Sequence, residues 1–334
     1  MAYGPVQYIR HSRKLFRANL QRTSENGYFC SFLVEENMWK SAVLVFIGAC
    51  SFGILSSFAK VAYNQGFTVG QVTGAQVLFG TCFLWLFAVL ANVFGFLKGG
   101  KGKREPRWQL LLAGLSSGSV SILYYQCVQM VPASIAVILL MQFVWISIVV
   151  EAVLFKIKPT RLQIMSVFLV LAGTVLAAGV LEKQEYILSV EGVLYGFAAA
   201  LGYAVFVIVN GRLGNNYPAV QKSALMLTGA SVLVIIVFPP TFLFDGALSA
   251  GLWRYGLLLA VFGAVLPPLL YAIGIPKVGV NLSAILSAAE LPVAVGMSYL
   301  LLSEKVSFLQ WLGVAVILLA IVLPNYWKMK HRNE

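Results

Sequence analysis

Ten apolar stretches, each long enough to cross a lipid bilayer as a helix, constrain this chain more than any other feature. An α-helix needs about 20 residues to span the roughly 30 Å of hydrocarbon in a membrane. The stretches lie at 39–62, 71–97, 108–130, 133–155, 161–181, 190–211, 219–243, 252–275, 281–302 and 307–327. Of the 334 residues, 60% are hydrophobic and only 11% are charged, whereas about a quarter of a soluble domain is charged. The sequence therefore predicts an all-α integral membrane protein with ten transmembrane helices.

The distribution of basic residues predicts how these helices are oriented. With the N-terminus in the cytoplasm, 20 of the 24 lysines and arginines fall in cytoplasmic segments and 3 fall in outer loops. Basic residues resist translocation, so this bias predicts a multi-pass protein of the cell (inner or plasma) membrane with both termini cytoplasmic. The loop at 181–190 is then outside. Because the net charge of +12 follows topology, we predict the lipid bilayer as a partner and no nucleic acid.

The chain is predicted to hold neither a metal nor an organic cofactor. Its four cysteines have no metal-ligand spacing, and its two histidines, His11 and His331, lie in the tails outside the apolar stretches. Neither a Ser–His nor a Cys–His pair can therefore form within the spans. The tails themselves are a basic cytoplasmic segment at 1–38 and a shorter cytoplasmic segment at 328–334.

An internal repeat relates the two halves of the chain. At an offset of 147 residues, "QLLLAGLSSGSVSILYY" from Gln109 matches "GLLLAVFGAVLPPLLYA" from Gly256, and "LQIMSVFLVLAGTVL" at 162–176 matches "LQWLGVAVILLAIVL" at 309–323. Most of the weight of this match is carried by the pairs Tyr124/Tyr271, Lys158/Lys305 and Gln163/Gln310. The repeats are predicted at 39–181 and 190–327. Each contains five spans, an odd number, so the second repeat enters the membrane from the opposite side, as in transporters that work by alternating access.

The repeats resemble a known family. The segment "AAELPVAVGMSYLLLSEKVSFLQWLGVAVILLAIVLP" and its weaker copy from Met141 to Leu176 are similar to the EamA domain of the drug/metabolite transporter superfamily. The pieces that match the family lie in the second repeat: Glu–x–Pro before a helix of small residues, "LSE" at the following loop, and Gln–x–x–Gly at the start of the last span. The first repeat, with "QFVWISIVVEAVLFKIKP", has neither the proline nor the loop glutamate. The resemblance covers about 39–327. It implies ten helices in two inverted five-helix repeats, and secondary transport, often export, of amino acids, other metabolites or drugs.

Glu290 is the strongest candidate for a functional group in the apolar stretches. It lies near the middle of its span, two residues before Pro292. A charge at that depth costs at least about 2.5–3.5 kcal/mol and is expected to face the bundle interior or a wet cavity. Two roles remain open: Glu290 could carry a proton during transport, or it could be a neutral carboxyl group that hydrogen-bonds to a neighbouring helix. Its repeat counterpart is Phe143, which is flanked by Gln142.

A second group of candidates lies on the third and eighth spans. Ser117, Ser121 and Tyr124 share one helix face by their spacing. In the eighth span Pro267 and Pro268 interrupt the backbone hydrogen bonds, which often marks a binding site at mid-membrane. Tyr124 and the repeat-related Tyr271 are predicted to line one polar cavity from two sides; the alternative is aromatic anchoring at the membrane interface.

Four further candidates have weaker support. Gln142, Trp145 and Tyr203 could line the pathway, and Lys60 could attract an anionic group there or extend to the interface. Glu151 is expected to pair with Lys156 or Lys158 near the cytoplasmic end of its span. Small residues such as Gly48 and Gly53 are expected to permit close helix packing.

These features favour a secondary active transporter and not an enzyme. The expected partner is a small-molecule substrate, with protons or a counter-substrate as the driving species, and the protein is expected as a monomer or homodimer. The alternative from another class is a membrane-embedded enzyme or a flippase-like, lipid-handling protein. An enzyme should gather acidic or metal-ligating residues at one interface, and this chain has isolated glutamates.

Overall fold

Every regular element in the described part of the chain is helical. The computed structural model describes residues 38–95, 99–100, 102–177, 189–303 and 306–330. The helices are α1 (Met38–Asn64), α2 (Val69–Val93), α3 (Arg107–Met130), α4a (Ala133–Met141), α4b (Phe143–Leu154), α5 (Arg161–Ala177), α6 (Val190–Arg212), α7 (Ala219–Val237), α8 (Leu248–Val278), α9a (Val280–Ser287), α9b (Glu290–Leu301) and α10 (Phe308–Lys330). Three predicted segments lie largely outside these residues: the N-terminal tail at 1–38 except Met38, most of the 181–190 loop, and the C-terminal tail from 331 onward.

Eight helices in the described residues are long and apolar enough to cross a membrane. Helix α5 and the apolar part of α10 (Phe308–Val322) are shorter. Side chains on the outer surface of the helices are apolar, for example Phe168 on α5 and Leu319 on α10. Such a surface suits lipid, and backbone groups satisfied within helices are what a span requires. The molecule is a multi-pass membrane protein.

Paired prolines end one helix earlier than predicted. The seventh apolar stretch was expected to run through 219–243, but α7 ends at Val237, directly before Phe238, Pro239 and Pro240. A proline lacks the backbone N–H that would continue the helix, and it restricts the residue before it to extended conformations. The prediction from hydropathy placed the end of this helix too late, because it took no account of the prolines.

The two glutamines that carry the repeat match have a structural role. In the turn before α5, the backbone N–H of Thr160 donates to Gln163 Oε1 at 2.8 Å, and the N–H of Gln163 donates to Thr160 Oγ1 at 3.3 Å. Ser307 and Gln310 make the same reciprocal pair before α10, at 2.8 and 3.2 Å. Both are capping boxes, which satisfy N–H groups at the start of a helix. A glutamine-containing capping box therefore begins the last helix of each repeat, and the full Gln–x–x–Gly motif is present in the second, at Gln310.

Helices from the two repeats pack against one another in a repeated pattern. Helix α3 packs on α6 and α7, while its counterpart α8 packs on α2. The last helices of the repeats, α5 and α10, pack closely along their lengths. They run antiparallel, because Gln310 at the start of α10 donates from Nε2 to the carbonyl of Ala177 at the end of α5, at 3.2 Å.

Two helices tighten locally at repeat-related positions. The backbone there keeps helical φ/ψ angles, but hydrogen bonds run from the N–H of residue i to the carbonyl of residue i−3, and each such point is called a break below. The fourth span is interrupted at Gln142 and the ninth at Ala288–Ala289, and the offset of 147 residues places Gln142 on Ala289. The halves of these helices cross, so that α4a packs on α9b and α4b packs on α9a. The two breaks therefore meet in the interior of the bundle.

Helix α8 contains the predicted irregularity near its paired prolines. A π-helical stretch, Ala260–Val265, is separated from Pro267 and Pro268 by Leu266 alone. In a π-helix the carbonyl of Phe262 would bond the N–H of residue 267, which proline lacks. Ser51 of α1 supplies the missing donor, with Oγ 2.6 Å from the Phe262 oxygen. The interruption is thus stabilised by a contact between the two repeats.

Candidate functional site

Glu290 is the first residue of α9b and lies in the interior of the bundle. The break at Ala288–Ala289 directly precedes it, and its exposed fraction is 3%. Tyr203 of α6 donates its hydroxyl to Glu290 Oε2 at 3.3 Å. A carboxyl group in this position satisfies the expectation that such a group faces the protein and not the lipid.

A chain of hydroxyl groups extends from Glu290. The Tyr203 hydroxyl lies 3.3 Å from the Tyr271 hydroxyl of α8, which lies 2.8 Å from Ser287 Oγ at the end of α9a. All four side chains are buried. Each hydroxyl can donate one hydrogen bond while accepting another, so the chain can point towards an ionised Glu290 or away from a protonated one. The arrangement can therefore hold a proton at Glu290 and accommodate its loss.

Aromatic rings surround the hydroxyl chain. The Tyr203 ring lies 4.2 Å, centroid to centroid, from the ring of Phe143. Phe52 of α1 meets Tyr203 and Tyr271 edge-on, at 5.8 and 5.7 Å. Phe143, the repeat counterpart of Glu290, thus contacts the same tyrosine that donates to Glu290. Tyr203 joins the two helix breaks.

Two glycines of α1 allow this close assembly, as the sequence predicted. A Cβ atom at Gly53 would overlap the backbone oxygen of Glu290 and the side chain of Val293. A Cβ atom at Gly48 would press on the Tyr271 ring. These overlaps confirm that Gly48 and Gly53 permit close helix packing, here directly against the site.

A small cavity adjoins Glu290. Its volume is about 50 Å³, which holds a few water molecules and is well below the roughly 300–1,000 Å³ of pockets that enclose drug-sized ligands. The lining residues come from both repeats: Phe52, Leu55, Gln76, Val77, Ser117, Val120, Ser121, Tyr124, Tyr125, Leu140, Tyr203, Phe206, Leu227, Gly263, Ala264 and Glu290. A larger molecule can enter only after the helices move apart.

Four of the eight candidate residues line this cavity: Glu290, Tyr124, Ser121 and Tyr203. Tyr271 does not line it, but its hydroxyl contacts that of Tyr203 at the cavity wall. Both repeat-related tyrosines, Tyr124 and Tyr271, are buried and not at the interface with lipid.

Three candidates lie elsewhere. Trp145 Nε1 donates to Gln142 Oε1 at 3.0 Å, and the Trp145 ring is 38% exposed on the outer surface of the helices. Gln142 also donates to the carbonyl of Ile138, one turn earlier. Lys60 neither lines the cavity nor simply extends outward. Its Nζ donates to the carbonyls of Val128 and Val131 at 3.0 and 3.4 Å, where it neutralises the negative end of α3.

The prediction that Glu151 pairs with Lys156 or Lys158 is wrong. Glu151 pairs with Arg212 at the end of α6, with Nη2 2.6 Å and Nε 2.8 Å from Oε1, and not with Lys156 or Lys158. The guanidinium also lies 3.6 Å from the centroid of the Phe155 ring. The lysines were chosen for proximity in sequence, whereas the side chain of a buried helix position faces its packing partner, here α6.

Sequence reasoning missed two residues of the cavity wall. Tyr125 of α3 donates its hydroxyl to Gln76 Oε1 of α2 at 2.6 Å, and both side chains line the cavity. Gln76 is a polar amide well inside the apolar stretch at 71–97, which was the available signal. Among the described residues, histidine, cysteine, aspartate and glutamate form no group that could hold a metal ion.

Comparison with known proteins gives consistent similarities. The sequence profile of the EamA-like transporter family matches residues 39–179 and 190–326. The chain is 23% identical over 310 residues to an uncharacterized transporter of Synechocystis, and 23% identical over 301 residues to the uncharacterized transporter YcbK of Bacillus subtilis. Each match covers 86% of this chain and 93% of the relative. A protein of known crystal structure shares the fold, with a TM-score of 0.66 at 16% identity, over 86% of this chain and 98% of the other.

Proposed function

Because the chain belongs to the EamA-like transporter family of the drug/metabolite transporter superfamily, we propose that it is a secondary active transporter that exports small metabolites, amino acids or drugs by alternating access. The family and the relatives indicate a transporter rather than an enzyme. The substrate is proposed to bind in the cavity beside Glu290.

The observation that carries this proposal is the small cavity beside the two helix breaks. Residues of both repeats line it, and the breaks in α4 and α9 meet beside it. Broken helices at mid-membrane let short helical segments tilt separately, and a cavity enclosed by two similar repeats can open to either side in turn. The cavity volume fits a state in which neither side is open.

We further propose that all ten helices, including the shorter α5 and α10, cross the membrane as two inverted repeats. The antiparallel packing of the repeat-related helices α5 and α10 supports this, since direct repeats would place equivalent helices parallel. Helices α4 and α6 run in the same direction, because Glu151 near the end of α4b meets Arg212 at the end of α6. The alternation of ten crossings requires the same direction for these two helices. The basic bias then places both termini in the cytoplasm of a cell-membrane protein.

Glu290 is proposed as the group that couples transport to a proton gradient or to exchange. It is the one carboxyl group among the described cavity-lining residues, and the hydroxyl chain can adapt to either of its protonation states. If the helix breaks move during transport, Glu290 moves with the α9 break and can exchange its proton with either side. The alternative hypothesis is that Glu290 has a purely structural role, as a carboxyl group fixed by its hydrogen bond to Tyr203.

Counterflow in proteoliposomes tests alternating access directly. Liposomes loaded with an unlabelled solute and diluted into its labelled form should accumulate the label transiently above equilibrium. Only a carrier that exchanges one molecule for another produces this overshoot. A panel of labelled amino acids, amines, sugars and drugs would be tested, with empty liposomes and the Glu290→Ala variant as controls. Simple equilibration of the label, without an overshoot for any solute, contradicts the proposal.

Membrane orientation has a separate test. A single cysteine placed in the 181–190 loop of a cysteine-free chain should react with an impermeant thiol reagent added outside the cell. Reaction only from the cytoplasmic side would overturn the proposed orientation.

A further inference from the structure

The cavity wall has an uneven chemistry. Among its described lining residues, Glu290 is the only one whose side chain can carry a charge at neutral pH. Five of the others are aromatic: Phe52, Tyr124, Tyr125, Tyr203 and Phe206. Gln76, Ser117 and Ser121 add neutral polar groups. Six neutral oxygen-bearing side chains, three of them tyrosines, and one carboxyl group therefore line a space otherwise bounded by rings and aliphatic side chains.

This composition favours a positively charged guest. An ammonium group gains from a nearby carboxylate and from the negative faces of aromatic rings. An anion meets repulsion from both, and no lysine or arginine is among the described residues that line the cavity. The aromatic walls also provide apolar area for the uncharged part of a ligand.

Three basic side chains on helices that contribute to the cavity wall are held by acceptors elsewhere. Lys60 donates to carbonyls at the end of α3. Lys222 of α7 donates to the Asn210 carbonyl at 2.7 Å and to Asn215 Oδ1 at 3.1 Å, and Arg212 pairs with Glu151. Each of these cations is occupied at a helix end and lines no part of the cavity.

We infer that the substrate of this protein is an organic cation, an amine that is protonated at neutral pH and carries an apolar, preferably aromatic, group. Its ammonium group binds beside Glu290, and its apolar group packs against Tyr124, Tyr203 and Phe206 when the cavity widens. The inference deepens the proposed function and depends on the cavity being the substrate site. Amino acids are bound less well than the corresponding amines, because their carboxylate has no basic partner in this wall.

A set of four compounds that share a phenyl group and differ in charge tests the inference. These are phenethylamine (a cation), 2-phenylethanol (neutral), phenylalanine (zwitterionic) and 3-phenylpropanoate (an anion). Binding to purified protein in phosphatidylcholine nanodiscs would be measured by calorimetry at neutral pH, with protein-free nanodiscs subtracted. Phenethylamine should bind at least about tenfold more tightly than the other three, in line with the coupling energies of close charge pairs.

Variants show whether Glu290 causes the preference. Glu290→Gln should abolish it, and Glu290→Asp, which keeps the charge, should retain most of it. Glu191→Gln is the matched control, because Glu191 is exposed in the first turn of α6 and should leave binding unchanged. Thermal unfolding of each variant in the same nanodiscs identifies any that fail to fold. If Glu290→Gln fails to fold, the binding preference of Glu290→Asp tests the inference.

The outcomes separate this inference from the proposed function. Tight binding of 3-phenylpropanoate, equal binding of all four compounds, absence of phenethylamine binding, or wild-type binding by Glu290→Gln each overturns the inference. Counterflow with the same compounds reports on function independently. An overshoot with a neutral or anionic compound alone supports the transporter and contradicts the cation site. Glu290-dependent amine binding without any overshoot supports the cation site and contradicts the transporter.

Discussion

The helix breaks in α4 and α9 occupy equivalent positions in the two repeats, at Gln142 and at Ala288–Ala289, and they differ in the residue that follows. In α4 that residue is Phe143, whose ring packs on Tyr203. In α9 it is Glu290, whose carboxyl group accepts a hydrogen bond from the same tyrosine. The helix break is present in both repeats, whereas the ionisable group at the break is present only in α9.

Under the proposed function, this difference assigns the movement to the paired breaks and the coupling to Glu290. A pair of equivalent breaks supplies two similar packings that can exchange roles, which requires symmetry in the backbone. Binding a proton or a cation requires one site of defined charge, and a second carboxylate beside the first would repel it. The two breaks would therefore be expected to tolerate very different substitutions.

Replacing Phe143 with glutamate should have the largest effect. The variant loses the ring contact with Tyr203 and places a second carboxyl group in the interior, at a cost of about 3 kcal/mol or more. Phe143→Leu, the control, keeps an apolar side chain and should cost about 1–2 kcal/mol. The midpoint of thermal unfolding in detergent would be compared. Equal stability of the two variants would contradict the claim that the α4 break must stay apolar.

The contact of α1 with the α9 break should be sensitive to a single methyl group. In Gly53→Ala the new Cβ meets the Glu290 backbone oxygen and Val293, so we expect a loss of about 1–3 kcal/mol from overpacking. Gly296→Ala is the control, because nothing lies within 4 Å of a Cβ there. That change should be neutral or stabilising by up to about 1 kcal/mol, from helix propensity. Effects of the same sign in the same thermal assay would show that Gly53 has no packing role.

Removing one hydroxyl should weaken the link between the two breaks. Tyr203→Phe keeps the ring on Phe143 but takes away the donor to Glu290 and the contact with Tyr271. The expected loss of stability is about 1–2 kcal/mol, with slower exchange in proteoliposomes. Tyr299→Phe serves as the control, since Tyr299 is 52% exposed. If both substitutions behave alike, the hydroxyl chain has no role.

The smallest effects are expected at the capping boxes. Gln163→Ala and Gln310→Ala each remove a cap worth about 1 kcal/mol. Gln310→Ala should cost more, because Gln310 also donates to Ala177 across the α5–α10 contact. Hydrogen exchange at the first turns of α5 and α10 would measure the local loss. Greater protection lost at α5 than at α10 would contradict this ranking.

The helices could largely be read from the sequence because membrane spans follow from hydropathy alone. Glu290 was found for the same reason, since a lone carboxylate is conspicuous in an apolar stretch. The break at Gln142 was not foreseen, because "LMQFVW" contains neither glycine nor proline; the backbone hydrogen bonds of the structure show it.

Rotation of the helices about their axes was the harder problem. A uniformly apolar helix carries little periodic signal to show which face is inward. Trp145 was therefore proposed for the pathway although its ring is exposed on the outer surface, and Gln76 was overlooked although it faces the cavity. Partners such as Arg212 for Glu151 depend on tertiary packing and could not be assigned from spacing.

The pH dependence of driven transport tests the central claim, that the single carboxyl group at the α9 break couples transport. Uptake of the solute identified by counterflow would be measured against an imposed proton gradient, over a range of pH, for wild type, Glu290→Asp and Glu290→Gln. Wild type and Glu290→Asp should accumulate the solute with a rate that changes with pH. Glu290→Gln should fold, lose accumulation and show only a residual, pH-independent exchange. Full gradient-driven accumulation by Glu290→Gln, with the pH profile of the wild type, would contradict the account and leave Glu290 as a structural hydrogen-bonding group.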